Sequence, residues 1–167
     1  MNNVWQRAVS YAALRHKYQV RKDGKTPYVA HPFRVAMVVR HVFGEADETT
    51  MVVALLHDLI EDTTTDYDDI AEQFGLEIAD CVAALTKDSR LHQQLREDVY
   101  YKNLENAPWQ AKLVKLADVY DNYCDAISFN MRQSIVTKAR RAIQCAGDDT
   151  RLKNAVRLVH ELLQQKH

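Results

Sequence analysis

The scarcity of turn-forming residues constrains the fold of this chain most, because its 167 residues include only four glycines and three prolines. A β-sandwich or β-barrel of this length needs many tight turns, which consume these two residue types. The shortage therefore argues against an all-β fold and favours a helical one. Hydrophobic residues make up 47% and charged residues 27% of the chain. These values are ordinary for a globular protein and exclude disorder as its main state.

The charge balance and the cysteine spacing narrow the functional classes. Lysine and arginine number 22 against 23 acidic residues, whereas proteins that hold a long nucleic acid carry a basic excess. We therefore expect a small ligand and no nucleic-acid partner. The three cysteines show no CxxC spacing, which fits a reducing cytosol. No apolar run approaches the ~18 residues of a membrane span, and the first residues do not resemble a signal peptide. The expectation is a cytoplasmic protein without membrane contact.

Apolar residues recur at helical spacing and predict one all-α domain over residues 1–167. The predicted helices cover about 4–16, 31–43, 48–62, 66–74, 78–85, 108–120, 135–143 and 152–163. A polar stretch at 91–106 has a sparse apolar side formed by Leu95, Val99 and Leu104.

Local signals predict where several helices begin. Asn2 or Asn3 is a candidate N-cap of the first helix, and Asp47 of the third. Pro32 suits a first helical position, which places His31 at the cap. The segment 65–68 resembles a capping box for a short helix that ends at Gly75.

The first cluster of candidate functional residues directly follows the fully apolar segment 51–56. Four ionisable residues lie within the next six positions, namely His57, Asp58, Glu61 and Asp62. Buried charges are paired or bound to a metal because unpaired burial is costly. On a continuous helix, His57 and Glu61 share a face. The competing interpretation is a helix end with acids in solvent and a histidine near the last carbonyls.

Two further groups of polar residues can each be interpreted either as part of a metal or substrate site or as an ordinary ion pair or helix cap. Asp118 and Asn122 are four residues apart and share a helix face beside an apolar stripe. Asp118 is either a metal ligand, with Asn122 holding substrate, or an acid paired with Lys115 at the surface. His31 follows a basic loop at 21–28 and is either a ligand or a capping histidine.

Taken in order, these elements resemble the HD-domain phosphohydrolases. More narrowly, they are similar to the hydrolase domain of the bifunctional RelA/SpoT alarmone enzymes and to the small stand-alone alarmone hydrolases. The resemblance covers about residues 5–165 and rests on three motifs, QVRKDGKTPYVAHP at 19–32, ALLHDLIEDT at 54–63, and LVKLAD at 113–118 with Asn122.

This resemblance implies an all-α HD-domain fold, a bound Mn²⁺ ion and hydrolysis of the 3′-pyrophosphate of the guanine nucleotides ppGpp and pppGpp. The products would be GDP or GTP and pyrophosphate. Carried over by motif, the metal ligands are His31, His57, Asp58 and Asp118. A set of two nitrogens and two carboxylates also suits Fe or Zn, so the residues alone do not select the metal.

The resemblance also assigns the remaining site residues. Glu61 and Asp62 match the acidic pair that activates or orients the attacking water, and the helical spacing of Glu61 agrees with that role. Arg21 and Lys22 match nucleotide contacts, since a guanidinium stacks on guanine and an ammonium pairs with phosphate. Asn122 matches a ribose or nucleotide contact.

After Asn122 the chain departs from the family pattern. Cys124 stands where the family has an arginine, and the acid Asp125 follows it. The substrate therefore stays open between (p)ppGpp and another nucleotide, such as NADPH or a nucleoside polyphosphate. A non-catalytic nucleotide-sensing domain is the third hypothesis, although a binder has no need for the acidic pair. The spacing leaves the oligomeric state open.

Overall fold

The computed structural model describes residues 3–165. Within them lie ten α-helices, a π-helical turn and no β-strand, which confirms the all-α prediction. The helices are α1 Val4–Arg15, α2 Ala30–Met37, α3 Glu48–Leu56, α4 Leu59–Asp62, α5 Tyr67–Phe74, α6 Leu76–Leu85, α7 Gln93–Glu105, α8 Trp109–Cys124, α9 Phe129–Ala146 and α10 Lys153–Gln164, and the π-helical turn Val38–Val42 extends α2. In this described part of the chain, no helix has the length and apolarity that crossing a membrane requires.

Helix α8 lies at the centre of the fold. It packs against α2, α3, α6, α7, α9 and α10, and most of its length is buried. Helix α3 is the second buried element, with Val52, Val53, Ala54 and Leu56 fully enclosed, as expected of a helix that is apolar all round. The two helices pack against each other and carry the polar clusters at their ends and sides.

Of the two side-chain caps predicted for α3 and α5, the first agrees with the structure and the second is shifted by one residue. The Asp47 side chain caps α3 by accepting a hydrogen bond from the Thr50 N–H at 2.8 Å. The capping box of α5 joins Asp66 and Asp69 rather than residues 65 and 68, because the Thr65 hydroxyl is buried and bonded to Thr63.

The start of α1 lies where it was predicted, whereas the start of α2 differs from the expectation. Asn3 occupies the N-cap position of α1 without a side-chain hydrogen bond, and Asn2 lies outside the described residues. Helix α2 begins at Ala30, so His31 lies inside its first turn and is not the cap. Pro32 is tolerated there because the first four N–H groups of a helix have no intrahelical acceptor.

The predicted continuous helix over 48–62 is interrupted at its chemically important point. Helix α3 ends at Leu56 and α4 begins at Leu59, so His57 and Asp58 form the junction. The Asp62 N–H still donates to the Asp58 carbonyl at 2.9 Å, which keeps these two acids on one side. Apolar periodicity gives no signal for such a break.

Helix α7 buries only part of the predicted side and adds two tyrosines to it. Tyr100, Tyr101 and Leu104 are buried, whereas Leu95 is 53% exposed. The reason is that the two rings fill the space beside α8 and α9, where the Tyr101 hydroxyl donates to the Lys138 carbonyl at 3.2 Å. Helix α9 is also longer than predicted, since Ser128 caps it seven residues before position 135.

The two leucines of α7 provide a matched test of this packing. We expect Leu104→Ala to lower the free energy of unfolding by about 2–5 kcal/mol, because a fully buried side chain leaves a cavity. Leu95→Ala should change it by less than about 0.5 kcal/mol. Urea denaturation followed by circular dichroism measures both values. Equal effects of the two substitutions would contradict the burial described for α7.

Candidate metal centre and active site

Three of the four predicted metal ligands converge in the interior. His31 comes from α2, His57 from the α3–α4 junction and Asp118 from α8, and one ligand atom from each lies within 4.8 Å of the other two. All three residues are buried. They are far apart in sequence, so only the packing of α2, α3 and α8 brings them together.

Asp58 lies at the edge of this cluster. Its carboxylate oxygens are 3.1 Å from His57 Nε2 and 3.5 Å from His31 Nε2. The side chain is 20% exposed, more than the other three. Asp58 is therefore close enough to complete a set of two imidazoles and two carboxylates.

Both imidazole rings are oriented with Nε2 toward the cluster. His57 Nδ1 lies 2.8 Å from the Ala54 carbonyl, and His31 Nδ1 lies 2.7 Å from Asp121. His57 Nε2 is buried, and among the residues that the structure describes it has no hydrogen-bond partner, since nearby Asp58 is poorly aligned. A buried nitrogen that faces carboxylates in this way suits coordination to a cation. The donor set fits a divalent transition metal.

Asp118 pairs with Lys115, as one of the two interpretations of the sequence predicted, and it also faces His31 of the cluster. One carboxylate oxygen lies 2.7 Å from Lys115 Nζ, and the other lies 3.2 Å from His31 Nε2. The Lys115 pair is buried, so it is not a surface ion pair. Burial alone would raise the pKa of Asp118, but the Lys115 ammonium and His31 hold this pKa well below its usual range.

The cluster lies at the wall of a cavity of about 700 Å³. All the other predicted site residues line the same cavity, namely Arg21, Lys22, Glu61, Asp62 and Asn122. So do three lysines, Lys87, Lys115 and Lys138. The cavity therefore combines a compact acidic and imidazole centre with a wall that carries several cations.

Glu61 and Asp62 occupy the exposed rim of this cavity and point in different directions. Glu61 accepts a hydrogen bond from the backbone N–H of Lys87 at 3.0 Å. Asp62 contacts the Tyr28 hydroxyl at 2.7 Å, and the same hydroxyl lies 2.7 Å from Asp58. Because a hydroxyl has one proton, Tyr28 donates to one carboxylate at a time. His57 lies at the α3–α4 junction and Glu61 within α4, and both line the cavity.

Arg21 and Asn122 contact each other at the mouth of the cavity. Arg21 Nη2 donates to the Asn122 amide oxygen at 2.8 Å, and Asn122 donates in turn to Asp118. Asp125 accepts from Arg21 at 3.0 Å and lies 2.9 Å from Arg34. The acid that departs from the family pattern therefore joins two arginines. Cys124 does not line this cavity; it lines a separate groove together with Arg34 and Tyr120.

Comparison with known protein families accounts for this geometry. A family model described as "HD domain" matches residues 8–141. The chain belongs to the HD-domain family. A solved structure, described as a metazoan ortholog of SpoT that hydrolyses ppGpp, superposes on this HD domain with a TM-score of 0.81 and 28% identity. That superposition covers 96% of each chain.

Curated relatives of this HD domain have consistent names. The guanosine-3′,5′-bis(diphosphate) 3′-pyrophosphohydrolase MESH1 of Xenopus tropicalis is 40% identical over 119 residues, which are 71% of this chain and 66% of that protein. The protein named guanosine-3′,5′-bis(diphosphate) 3′-pyrophosphohydrolase in Aquifex aeolicus is 37% identical over 120 residues. Those residues are 70% of this chain and 17% of the Aquifex protein. The alignments thus leave about a third of the Xenopus protein and most of the Aquifex protein outside the match.

Three residues of the HD-domain site were not predicted from the sequence. Tyr28 bridges Asp58 and Asp62, Asp121 contacts His31, and Arg34 contacts Asp121. Tyr28 lies inside the motif at 19–32, but nothing in the sequence indicates that its hydroxyl contacts the two carboxylates. For Asp121 and Arg34, the available signal was their spacing of three residues from Asp118 and His31 respectively.

The ionisation of His31 predicts how metal binding depends on pH. Burial alone would lower the pKa of His31, but hydrogen bonds with Asp118 and Asp121 and the charge of Asp58 raise it from 6.5 to about 9. Below that pH, Nε2 carries a proton that a metal must displace. We expect the Mn²⁺ affinity of the metal-free protein to rise with pH up to about 9, with proton release on binding.

Titration calorimetry in buffers of different ionisation enthalpy measures both quantities. The observed enthalpy should depend on the buffer at pH 7 and much less above the pKa of His31. An affinity that stays constant between pH 6.5 and 9, with no buffer dependence, would contradict the protonated state of His31 described above.

Proposed function

We propose that this HD domain is a divalent-metal-dependent (p)ppGpp 3′-pyrophosphohydrolase, which releases pyrophosphate and leaves GDP or GTP. The observation that carries the proposal is the buried cluster of His31, His57 and Asp118, with the Asp58 carboxylate at its edge, at the wall of a cation-lined cavity. The names of the relatives and of the superposed structure support the substrate. In this proposal, residues 1–167 act as one cytoplasmic domain without nucleic-acid or membrane partners.

The proposed metal ligands are His31, His57, Asp58 and Asp118, and the proposed ion is Mn²⁺, with Fe or Zn as alternatives. When bound, a divalent ion lowers the pKa of water and stabilises the charge that develops on a phosphoryl oxygen. The buried, pre-oriented Nε2 atoms of the two histidines support this assignment. Lys115 supports it as well, because it keeps Asp118 ionised.

Glu61 and Asp62 are the proposed proton acceptors for the attacking water. Both are solvent-accessible carboxylates on the rim of the cavity that contains the cluster. Glu61 is anchored by the Lys87 N–H, and Asp62 is anchored by Tyr28. A carboxylate that is held in place next to the water it serves is what general-base catalysis requires.

Arg21, Lys22 and Asn122 are the proposed nucleotide contacts. The Arg21 guanidinium carbon lies 5.5 Å from the centre of the Tyr28 ring, and the residue lines the cavity, where a planar guanidinium suits stacking on guanine. Lys22 is exposed at the mouth of the cavity and is free to meet phosphate. Lys87 and Lys138 add positive charge on the wall, which suits a substrate that carries two pyrophosphate groups.

A second candidate is the same hydrolysis on another nucleotide, such as NADPH or a nucleoside polyphosphate. The favouring observation is Asp125, which adds negative charge at the cavity mouth and engages Arg21 at 3.0 Å. An arginine that already pairs with a carboxylate has less charge to offer a phosphate. The reaction chemistry is common to both candidates, so only the substrate distinguishes them.

Incubation of the pure protein with Mn²⁺ and a panel of nucleotides tests the proposal. We expect pyrophosphate release from ppGpp, and loss of both metal content and activity in His57→Ala and Asp118→Ala, because each removes a proposed ligand. Elemental analysis measures the metal. Turnover of another nucleotide but not of ppGpp would select the second candidate, and no turnover of any would leave a nucleotide-binding domain.

Glu61→Gln separates catalysis from metal binding. We expect it to retain the metal and to lower kcat by about 10²- to 10⁴-fold, because the amide still accepts the Lys87 hydrogen bond but cannot take a proton. Glu72→Gln, at an exposed position of α5, is the matched control and should behave as the wild type. A Glu61→Gln protein with the wild-type kcat would remove Glu61 from the mechanism.

A further inference from the structure

The imidazole of His31 is held between two carboxylates of one helix. Asp118 lies 3.2 Å from its Nε2, and Asp121 lies 2.7 Å from its Nδ1. Both acids belong to α8 and are three residues apart, so they project from the same side of that helix. The side chain of His31 is only 2% exposed, so solvent does not compete for its ring nitrogens, and the next carboxylate, Asp58, lies 3.5 Å from Nε2.

Helix α2 provides the complementary pair. Arg34 follows His31 by three residues, and it binds Asp121 through two bonds, Nε to Oδ1 at 2.7 Å and Nη2 to Oδ2 at 3.0 Å. This bidentate contact fixes the plane of the Asp121 carboxylate, because the guanidinium is planar and presents two parallel N–H donors. Two residues of α2 and two of α8 therefore form one clamp, in which the arginine orients the carboxylate and the carboxylate orients the imidazole.

The position of Asp121 has a chemical consequence for the other end of the ring. A carboxylate that accepts the Nδ1–H keeps this proton on Nδ1, so the lone pair available to a metal is on Nε2. Arg34 keeps Asp121 ionised and prevents it from rotating away or taking up the proton. Asp121 itself is 5% exposed, which means that solvent does not replace these contacts.

We propose that Asp121 is a positioning residue that fixes the ring orientation and tautomer of His31 for a divalent metal, and that Arg34 holds Asp121 in place. The proposal rests on the metal site of the proposed function but not on the substrate. It assigns to Asp121 a role through His31, since Asp121 belongs neither to the compact cluster nor to the residues that line the cavity.

The competing explanation is that Arg34 and Asp121 form an ion pair that only ties α2 to α8. Such a pair would affect the free energy of unfolding without changing metal affinity once the protein is folded. Metal affinity and the position of the ring proton are therefore the deciding measurements, because neither would change in a folded variant that has lost only a structural contact.

The experiment compares Asp121→Ala, Asp121→Asn and Arg34→Met in the metal-free full chain. The control is Asp98→Asn, which removes a carboxylate from the exposed ion pair with Arg141 at 2.9 Å. Calorimetric titration with Mn²⁺ gives the dissociation constant of each. Nitrogen-15 NMR of the histidine-labelled metal-free protein at about pH 10, where His31 is neutral, reports which ring nitrogen of His31 carries the proton.

We expect Asp121→Ala to weaken Mn²⁺ binding by about 10- to 100-fold, as loss of an outer carboxylate does in other metal sites. Asp121→Asn should lose less Mn²⁺ affinity than Asp121→Ala, because its amide oxygen still accepts a hydrogen bond from Nδ1. Arg34→Met should also lower the Mn²⁺ affinity. In the alanine variant, the His31 resonances should shift away from the single Nδ1–H form. The control should match the wild type.

Wild-type affinity and an unchanged ring tautomer in Asp121→Ala would overturn the proposal. If that variant does not fold, wild-type values in both Asp121→Asn and Arg34→Met would overturn it instead. The outcome is independent of the substrate. A wild-type protein that binds Mn²⁺ but releases no pyrophosphate would reject the proposed activity and leave the positioning role to be judged on affinity alone.

Discussion

The ion pair between Lys115 and Asp118 places a full ammonium and a full carboxylate inside the helical core, 2.7 Å apart. Transfer of each ion out of water costs several kcal/mol, and their attraction offsets that cost only when the geometry is good and the remaining donors and acceptors are used. Asp118 meets this condition through His31 and Asn122. This requirement constrains how α8 packs against α2, because His31 of α2 must reach the same buried carboxylate as Lys115 and Asn122 of α8.

Helix α8 therefore contributes both to the hydrophobic core and to the candidate active site. Its apolar residues pack against α3, α6 and α9, while its polar residues face α2 and the cavity. Asn122 connects Asp118 to Arg21 at the cavity mouth, and Asp125 connects Arg21 to Arg34. A substrate that contacts Arg21 at the mouth thus meets a residue that is already joined by hydrogen bonds to the buried centre.

Local features of the sequence predicted the helices and several of their caps, because apolar periodicity and the Asp47 cap depend only on neighbouring residues. The convergence of His31, His57 and Asp118 could not follow from spacing, since the three residues belong to separate elements. It was predicted only through the resemblance to a family. The break at residues 57 and 58 was missed because the apolar pattern continues through it.

The predictions for the rim of the site were weaker for a related reason. Tyr28, Arg34 and Asp121 act through partners that lie 30 to 90 residues away, and no local pattern indicates such pairs. The buried side of α7 was likewise assigned to Leu95, Val99 and Leu104, whereas tyrosine rings take most of that role. Tertiary contacts determine which of these residues are buried and which partners they have, and apolar periodicity does not report tertiary contacts.

The polar residues of α8 follow one another at helical intervals, with Lys115, Asp118, Asp121 and Asn122 on adjoining turns. Because each residue advances an α-helix by about 100°, one residue inserted between Asp118 and Asp121 would turn everything beyond it away from His31. The loop between α9 and α10, residues 147–152, contributes no residue to the cavity or to the compact cluster. Descendants of this gene should therefore tolerate changes of length in that loop, whereas α8 should keep its length even where its composition drifts.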